Sequence, residues 1–267
     1  MPELPEVNTL AVALARQLCG DSIIEWQRLS PKLRLPIPNS KEAKEITNCI
    51  IAGIKRVAKN IYVDFGDKLF LKVHLGMTGH FHLTPEPLIG LKHEHLRIAL
   101  KSGRVLTFCD PRRFGSIEIA EFPDKCVTEP FAGSLTPQYL ATACAKRQCS
   151  IKALIMDQQI IAGLGNIYAA EALFAAGIRP DRPASSLKPA ELKKLCKSMI
   201  NVIDKAVKAG IASLFEKPLI DGDTTHFEIE TLIYDRQGSL CSKCGKASIE
   251  MIRISGRSSC YCPICQK

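Results

Sequence analysis

The stretch LCSKCGKASIEMIRISGRSSCYCPICQK (240–267) constrains the fold more than any other. Cys241-x2-Cys244 and Cys262-x2-Cys265 are two knuckles separated by the 17 residues 245–261. Knuckles about 15–20 residues apart have the spacing of a structural zinc site, in which four thiolates close around one ion. Each knuckle sets two sulfurs on one side of a tight turn. The intervening IEMIRISG…SSCY reads as a β-hairpin that brings the two turns together. Disulfides or a redox pair are the competing readings, and a tail this short, with no core of its own, favours zinc. Cys260 lies two residues before Cys262 and competes as a ligand, although only Cys262 completes the pattern. Arg253 and Arg257 lie on the hairpin, which points to phosphate as its target.

The other seven of the 12 cysteines are scattered singly through apolar or mixed surroundings. They read as reduced thiols. The acidic PELPE at the start is unlike a secretory n-region, and no apolar run approaches the roughly 18 residues of a membrane span. A cytoplasmic, nucleoid-associated protein with no membrane partner is the expectation. The chain carries 36 Lys+Arg against 27 Asp+Glu, net +9. That excess favours a polyanionic partner, nucleic acid before membrane, with a merely soluble basic protein as the rival reading.

Two bodies are expected along the 267 residues. Residues 6–19 look helical; 22–120 read mainly as strands, including IYVDF, LFLKVHL, IALKSGRVLTF with a Ser-Gly turn, and SIEIA. A helical SKEAKEITNCI interrupts at 40–50, and 121–137 is rich in turn formers. Helices dominate beyond. Leu192, Leu195, Cys196, Met199, Ile203 and Ala206 recur at helical spacing after Pro189, with Gly210 at the far end.

Three apolar-to-polar junctions stand out: HLGMTGHF (74–81), FCDPRRFGS (108–116) and AGLGNIYAAEALFAAGI (162–178). The first two leave Met77, two arginines and Phe114 on loops, the side chains needed to wedge into duplex DNA. The third runs a Gly-rich turn, with Gly163, Gly165 and Asn166, into a helix N-terminus suited to phosphate. Taken singly, each reads as readily as an ordinary turn or cap.

Together with MPELPEV, KHEH and the terminal cysteines, these segments resemble the Fpg/Nei family of bifunctional DNA glycosylases. The resemblance runs through nearly the whole chain in order, and PELPE is closer to the Fpg branch than to the PEGPE of Nei enzymes. It implies an α+β fold: an N-terminal β-sandwich flanked by helices over 1–125, a linker at 126–136, a helix–two-turn–helix body at 137–235 and a zinc finger at 236–267. It implies a monomer that flips an oxidised purine (8-oxoguanine or a formamidopyrimidine) out of damaged double-stranded DNA into the interdomain cleft, excises it and nicks the abasic site by β,δ-elimination. One structural Zn2+ is held by Cys241, Cys244, Cys262 and Cys265.

Within that resemblance Pro2, exposed when Met1 is removed, matches the nucleophile. The chemistry is independently sound, because an α-amino group titrates near pH ~8 and a secondary amine on a sugar C1′ gives a cationic iminium. Glu3 matches the proton-transfer group, Lys59 a second catalytic cation and Arg257 a hairpin arginine that grips phosphate and assists δ-elimination. Met77, Arg112 and Phe114 match the residues that fill the void of the everted nucleotide; His93, Lys152 and Asn166 match phosphate contacts. The chain departs from the family at KAGIASLFEKPLIDGDTTHF (208–227) and at Gln148. These departures bear on base specificity more than on catalysis. The alternatives are a Nei-like enzyme for oxidised pyrimidines and a catalytically silent DNA-binding homologue.

Overall fold

The structure, a computed structural model, describes residues 2–88, 91–123, 127–131, 133–216 and 229–267. The chain divides into two units, Met1–Cys126 with Val207–Phe227, and Val127–Ala206 with Glu228–Lys267.

The first unit opens on α1 (Leu4–Leu18). Its start is fixed locally: Glu3 is the N-cap, Pro5 lies in the first turn where a missing N–H costs nothing, and Glu3 and Glu6 close a reciprocal capping box. Val7, Leu10, Leu14 and Leu18 form its buried stripe. Eight strands follow: β1 (Ile23–Arg28), β2 (Gly53–Val57), β3 (Asn60–Asp64), β4 (Phe70–His74), β5 (His80–Thr84), β6 (Glu94–Leu100), β7 (Val105–Cys109) and β8 (Ser116–Ala120). They form two antiparallel sheets, ordered β1-β6-β7-β5 and β2-β3-β4-β8. Ile98, Leu106, Phe108 and Phe81 of the first share one core with Ile61, Val63, Leu71, Val73 and Ile117 of the second. That is the expected sandwich, with α1 packed into the same core. The Ser-Gly turn joins β6 to β7 with Gly103 at φ 87°, a conformation that suits glycine.

The expected helix at 40–50 is only a single 3₁₀ turn, Glu42–Glu45. Its continuation is claimed by the sheet: Asn48 N–H donates to the Ile23 carbonyl at 2.6 Å, and Ile51 N–H to that of Asp21 at 2.8 Å. Asn48 adopts φ 66°, which ends any helix.

The second unit holds α2 (Pro137–Cys144), α3 (Ile151–Ile155), α4 (Asn166–Ala176), most of α5 (Pro189–Glu216), and the hairpin β9 (Glu250–Ile254) and β10 (Arg257–Tyr261). Thr136 and Ser150 cap α2 and α3 by accepting from Tyr139 N–H and Ala153 N–H. Between α3 and α4, Gln158 accepts from Gly163 N–H at 3.0 Å and donates to the Leu164 carbonyl at 2.7 Å. One side chain thus braces the Gly-rich turn that launches α4. Gly210 does not end α5, which runs on to Glu216 and carries Leu214 into the sandwich core. Burial of that leucine outweighs the ~1 kcal/mol that an interior glycine costs a helix.

Candidate functional site

Glu3 is 2% exposed, while Pro2 beside it is half-buried. The capping box that starts α1 therefore also fixes the carboxylate next to Pro2. Lys59 lies in the two-residue turn between β2 and β3, where Ala58 takes φ 53°. It is not a solvated edge lysine but 9% exposed. Arg56 ties this turn to α1, donating to Asn8 Oδ1 at 3.3 Å and to the Ala58 carbonyl at 3.0 Å. One guanidinium thereby joins the second turn of α1 to the turn that carries Lys59.

His74, at the end of β4, was not singled out in the sequence. Burial, then the charges of Arg34, Lys59 and Lys72, hold its imidazole below the ordinary value, so it is neutral at pH 7. Its Nδ1 accepts from Gly76 N–H at 2.9 Å. A neutral imidazole among cations leaves the local field positive, as a phosphate-facing surface needs.

The two loops expected to act as wedges are braced against each other. Gly76 adopts φ 62°, and a Cβ there would lie 2.4 Å from the Phe114 carbonyl carbon and 2.6 Å from Gly115 N, so only glycine admits this approach. Asp110 is fully buried and accepts from Thr78 Oγ1 at 2.5 Å, Gly115 N–H at 2.8 Å and Arg112 N–H at 3.3 Å. From this frame Met77 and Phe114 project, 38% and 48% exposed, with the Arg112 guanidinium 5.0 Å from the Phe114 ring centroid. Exposed apolar side chains on a rigid frame are costly unless something covers them. His93 is exposed at φ 62°, and its carbonyl accepts from Asp110 N–H at 3.1 Å. Thr78 and Asp110 were missed as positioning residues. The Asp-Pro dipeptide was the available signal, since an aspartate before proline commonly bonds the backbone of its own turn.

In the second unit Asn166 is the first residue of α4. Its Oδ1 is buried and lacks a hydrogen-bond partner among the described residues. A polar group left this way marks a position kept for a ligand rather than for folding. Lys152, matched by the resemblance to a phosphate contact, already has protein partners. It is 1% exposed, and its ammonium donates to the Ser258 carbonyl at 3.0 Å and to Ser259 Oγ at 2.8 Å. It ties α3 to β10, where Arg257 stands exposed beside the Ser255-Gly256 turn. Glu171 performs a similar task from α4, accepting N–H bonds from Leu232, Ile233 and Tyr234 ahead of the first knuckle.

The sulfurs of Cys241, Cys244, Cys262 and Cys265 all lie within 4.8 Å of one another. Cys241–Cys265 and Cys244–Cys262 are 3.9 and 3.8 Å apart. Four thiolates at about 2.3 Å from a central zinc stand about 3.8 Å apart in a tetrahedron, a spacing these two pairs match. Backbone N–H groups of Ala247 and Lys246 bring the Cys244 thiol down to about 6, whereas burial pushes Cys262 up and Cys265 up to about 12, so the four close sulfurs do not all ionise without a cation among them. Cys260 is outside the group; it is 8% exposed and packs with Ala170, Phe174 and Ile249. Cys260→Ser should therefore leave the metal content unchanged and lower thermal stability. Metal loss in that variant, measured by atomic emission, would transfer the ligand role to Cys260.

A β-sandwich with braced apolar loops, followed by capped helices and a four-thiol knuckle, is the architecture of a DNA repair glycosylase of the helix–two-turn–helix class. Residues 1–117 match the formamidopyrimidine-DNA glycosylase N-terminal domain, and 127–216 match the H2TH domain of the same enzymes. Formamidopyrimidine-DNA glycosylases of Dichelobacter nodosus and Thiobacillus denitrificans are 37% and 36% identical to this chain over the whole of both proteins. Lactococcus lactis Fpg in complex with abasic-site DNA superposes with TM-score 0.88 at 30% identity, covering 99% of each chain. The same enzyme with DNA containing N7-benzyl-Fapy-dG gives 0.88 at 31% over 100% of each. The chain belongs to the formamidopyrimidine-DNA glycosylase family, whose members join glycosylase to abasic-site lyase activity.

Proposed function

We propose that this glycosylase excises oxidised purines, 8-oxoguanine and formamidopyrimidines, from duplex DNA and then nicks the strand by β,δ-elimination through Pro2. The observation that carries the reading is the mutual bracing of the Met77 and Phe114 loops through Gly76 and Asp110. It holds two exposed apolar side chains and Arg112 ready to replace an everted nucleotide. The L. lactis complexes with abasic and Fapy-containing DNA support the same substrate class.

In this reading the Pro2 amine displaces the base at C1′, and breaking of the C1′–O4′ bond, with a proton delivered to O4′, turns the adduct into a ring-opened iminium. Glu3 carries the accompanying proton transfer, and Lys59 assists protonation at the lesion or sugar. The iminium then draws electrons from the C2′–H bond, expelling the 3′ phosphate, and a second elimination expels the 5′ phosphate with Arg257 beside it. His93 and Asn166 bind flanking phosphates. Lys152 serves indirectly, by holding the β10 backbone next to Arg257. Cys241, Cys244, Cys262 and Cys265 would hold one Zn2+, which supplies folding energy to the tail and no chemistry. The enzyme acts as a monomer.

Single-turnover kinetics on paired lesion and abasic duplexes test the division of labour. Phe114→Ala and Met77→Ala should slow excision of 8-oxoguanine by about tenfold or more while slowing nicking of a pre-formed abasic site much less. The reason is that unstacking costs a few kcal/mol only where a base must leave the stack. Glu3→Gln should instead impair excision with near-normal DNA binding. Equal losses on both substrates for Phe114→Ala would reduce that residue to loop packing. Faster excision of an oxidised pyrimidine than of 8-oxoguanine by the unmodified enzyme would reassign the lesion class.

A further inference from the structure

A second group of metal-ligating side chains belongs to the sandwich unit. His80 and His82 alternate with Phe81 along β5, and Cys109 is the last residue of β7. Phe81 and Phe108 belong to the core, so the two imidazoles and the thiol share the opposite face of this sheet. The strand register pairs His80 with Cys109 directly. One ligand atom from each of the three residues lies within 4.8 Å of the other two. Imidazole nitrogens at about 2.0–2.1 Å and a thiolate at about 2.3 Å from zinc are separated by less than that, so small side-chain rotations close the set.

The surroundings fit as well. His80 Nδ1 lies 2.8 Å from the Thr78 carbonyl, a bond that fixes the tautomer and leaves Nε2 with its lone pair. This is the outer-shell arrangement that orients metal-bound histidines. The His80 and His82 rings stand 5.2 Å apart, edge to face. On the other side of Cys109 its register partner on β6 is Glu94, whose Oε1 is buried without a hydrogen-bond partner among the described residues. Its other oxygen pairs with Arg97, which leaves this carboxylate beside the site rather than among its ligands.

We infer that His80, His82 and Cys109 form a second metal site, taking a borderline transition-metal ion such as Zn2+ through two imidazoles and one thiolate. The site lies at the root of the wedge loops. Cys109 precedes Asp110 in the chain, and Thr78 both receives His80 Nδ1 and donates to Asp110. A bound ion would therefore couple the two strands that carry the loops of Met77 and Phe114, and stiffen both.

Equilibrium dialysis of the full-length protein against buffered zinc, read by atomic emission, decides the matter. The expected result is two equivalents per chain, the second removed first by a competing chelator. His80→Asn and His82→Asn should each retain one equivalent. Both side chains are half-buried on the outer face, so neither variant opens the core. In cobalt-loaded protein the second equivalent should add tetrahedral ligand-field bands that vanish in His82→Asn, with the thiolate charge-transfer bands of the tail retained. A single equivalent that survives both substitutions would overturn the site and leave the tail assignment standing. A single equivalent lost in His82→Asn would uphold it and overturn the tail assignment instead. Two equivalents that persist in both variants would also overturn it.

Discussion

An uncleaved residue ahead of Pro2 should abolish borohydride trapping of the enzyme on abasic DNA. An α-amino group with pKa near 8 is about a quarter free base at pH 7.5, whereas a lysine near 10.4 is about 0.1% free. Blocking the terminus thus removes a nucleophile favoured about two-hundredfold by protonation state alone. The fold adds to this advantage. Pro2 stands at the N-terminal end of α1, whose dipole disfavours a cation there by about 0.3–1 kcal/mol. The capping box holds the chain so that Glu3 is buried beside it. Pro2→Gly keeps a terminal amine but loses the secondary amine and its rigid ring, so trapping should fall sharply without vanishing. Lys59→Ala should still form the trapped adduct. Undiminished trapping with a blocked terminus would sink the assignment and move the nucleophile to a lysine, Lys59 first.

What the sequence revealed, and what it hid, follows from the range of the interactions involved. The two knuckles, the β6–β7 turn and the Met77 and Phe114 loops were legible because glycine, proline and cysteine spacing act over a few residues. The family resemblance added the fold class, and the relatives and solved structures bear it out. Asp110 was legible in part: its Asp-Pro turn is a local signal, but the brace to Thr78 spans 32 residues and leaves no local pattern. The protein partners of Lys152 were not legible, because no local pattern foretells that Ser258 and Ser259 receive its ammonium. The 40–50 segment has helical composition, but the sheet edge beside it claims its backbone. Gly210 looked like a stop signal, and Leu214 four residues later is buried. The departure from the family pattern at 208–227 lies in large part outside the described residues.

The tail should depend on its metal outright. Its cluster of Ile233, Ala247, Ile249 and Cys260, packed on Ala170 and Phe174 of α4, includes the knuckle residues Cys241 and Cys262 themselves. So small an apolar group does not make a core able to order the tail unaided. Structural zinc in comparable knuckles supplies about 10–16 kcal/mol at neutral pH. Cys241→Ser and Cys265→Ser should each lose the tail's equivalent of zinc and expose residues 229–267 to proteolysis. Both should also lose most of the affinity for damaged duplex, because Arg253 and Arg257 lose their hairpin. The salt dependence of the remaining binding should become shallower, by about one unit of slope for each phosphate that the hairpin no longer neutralises. The sandwich unit, whose core among the described residues includes none of the tail, should retain its own melting transition. Tail variants that lose zinc yet bind lesion duplex with wild-type affinity and salt slope would show that the hairpin does not touch phosphate. Arg257 would then have to leave the proposed δ-elimination step.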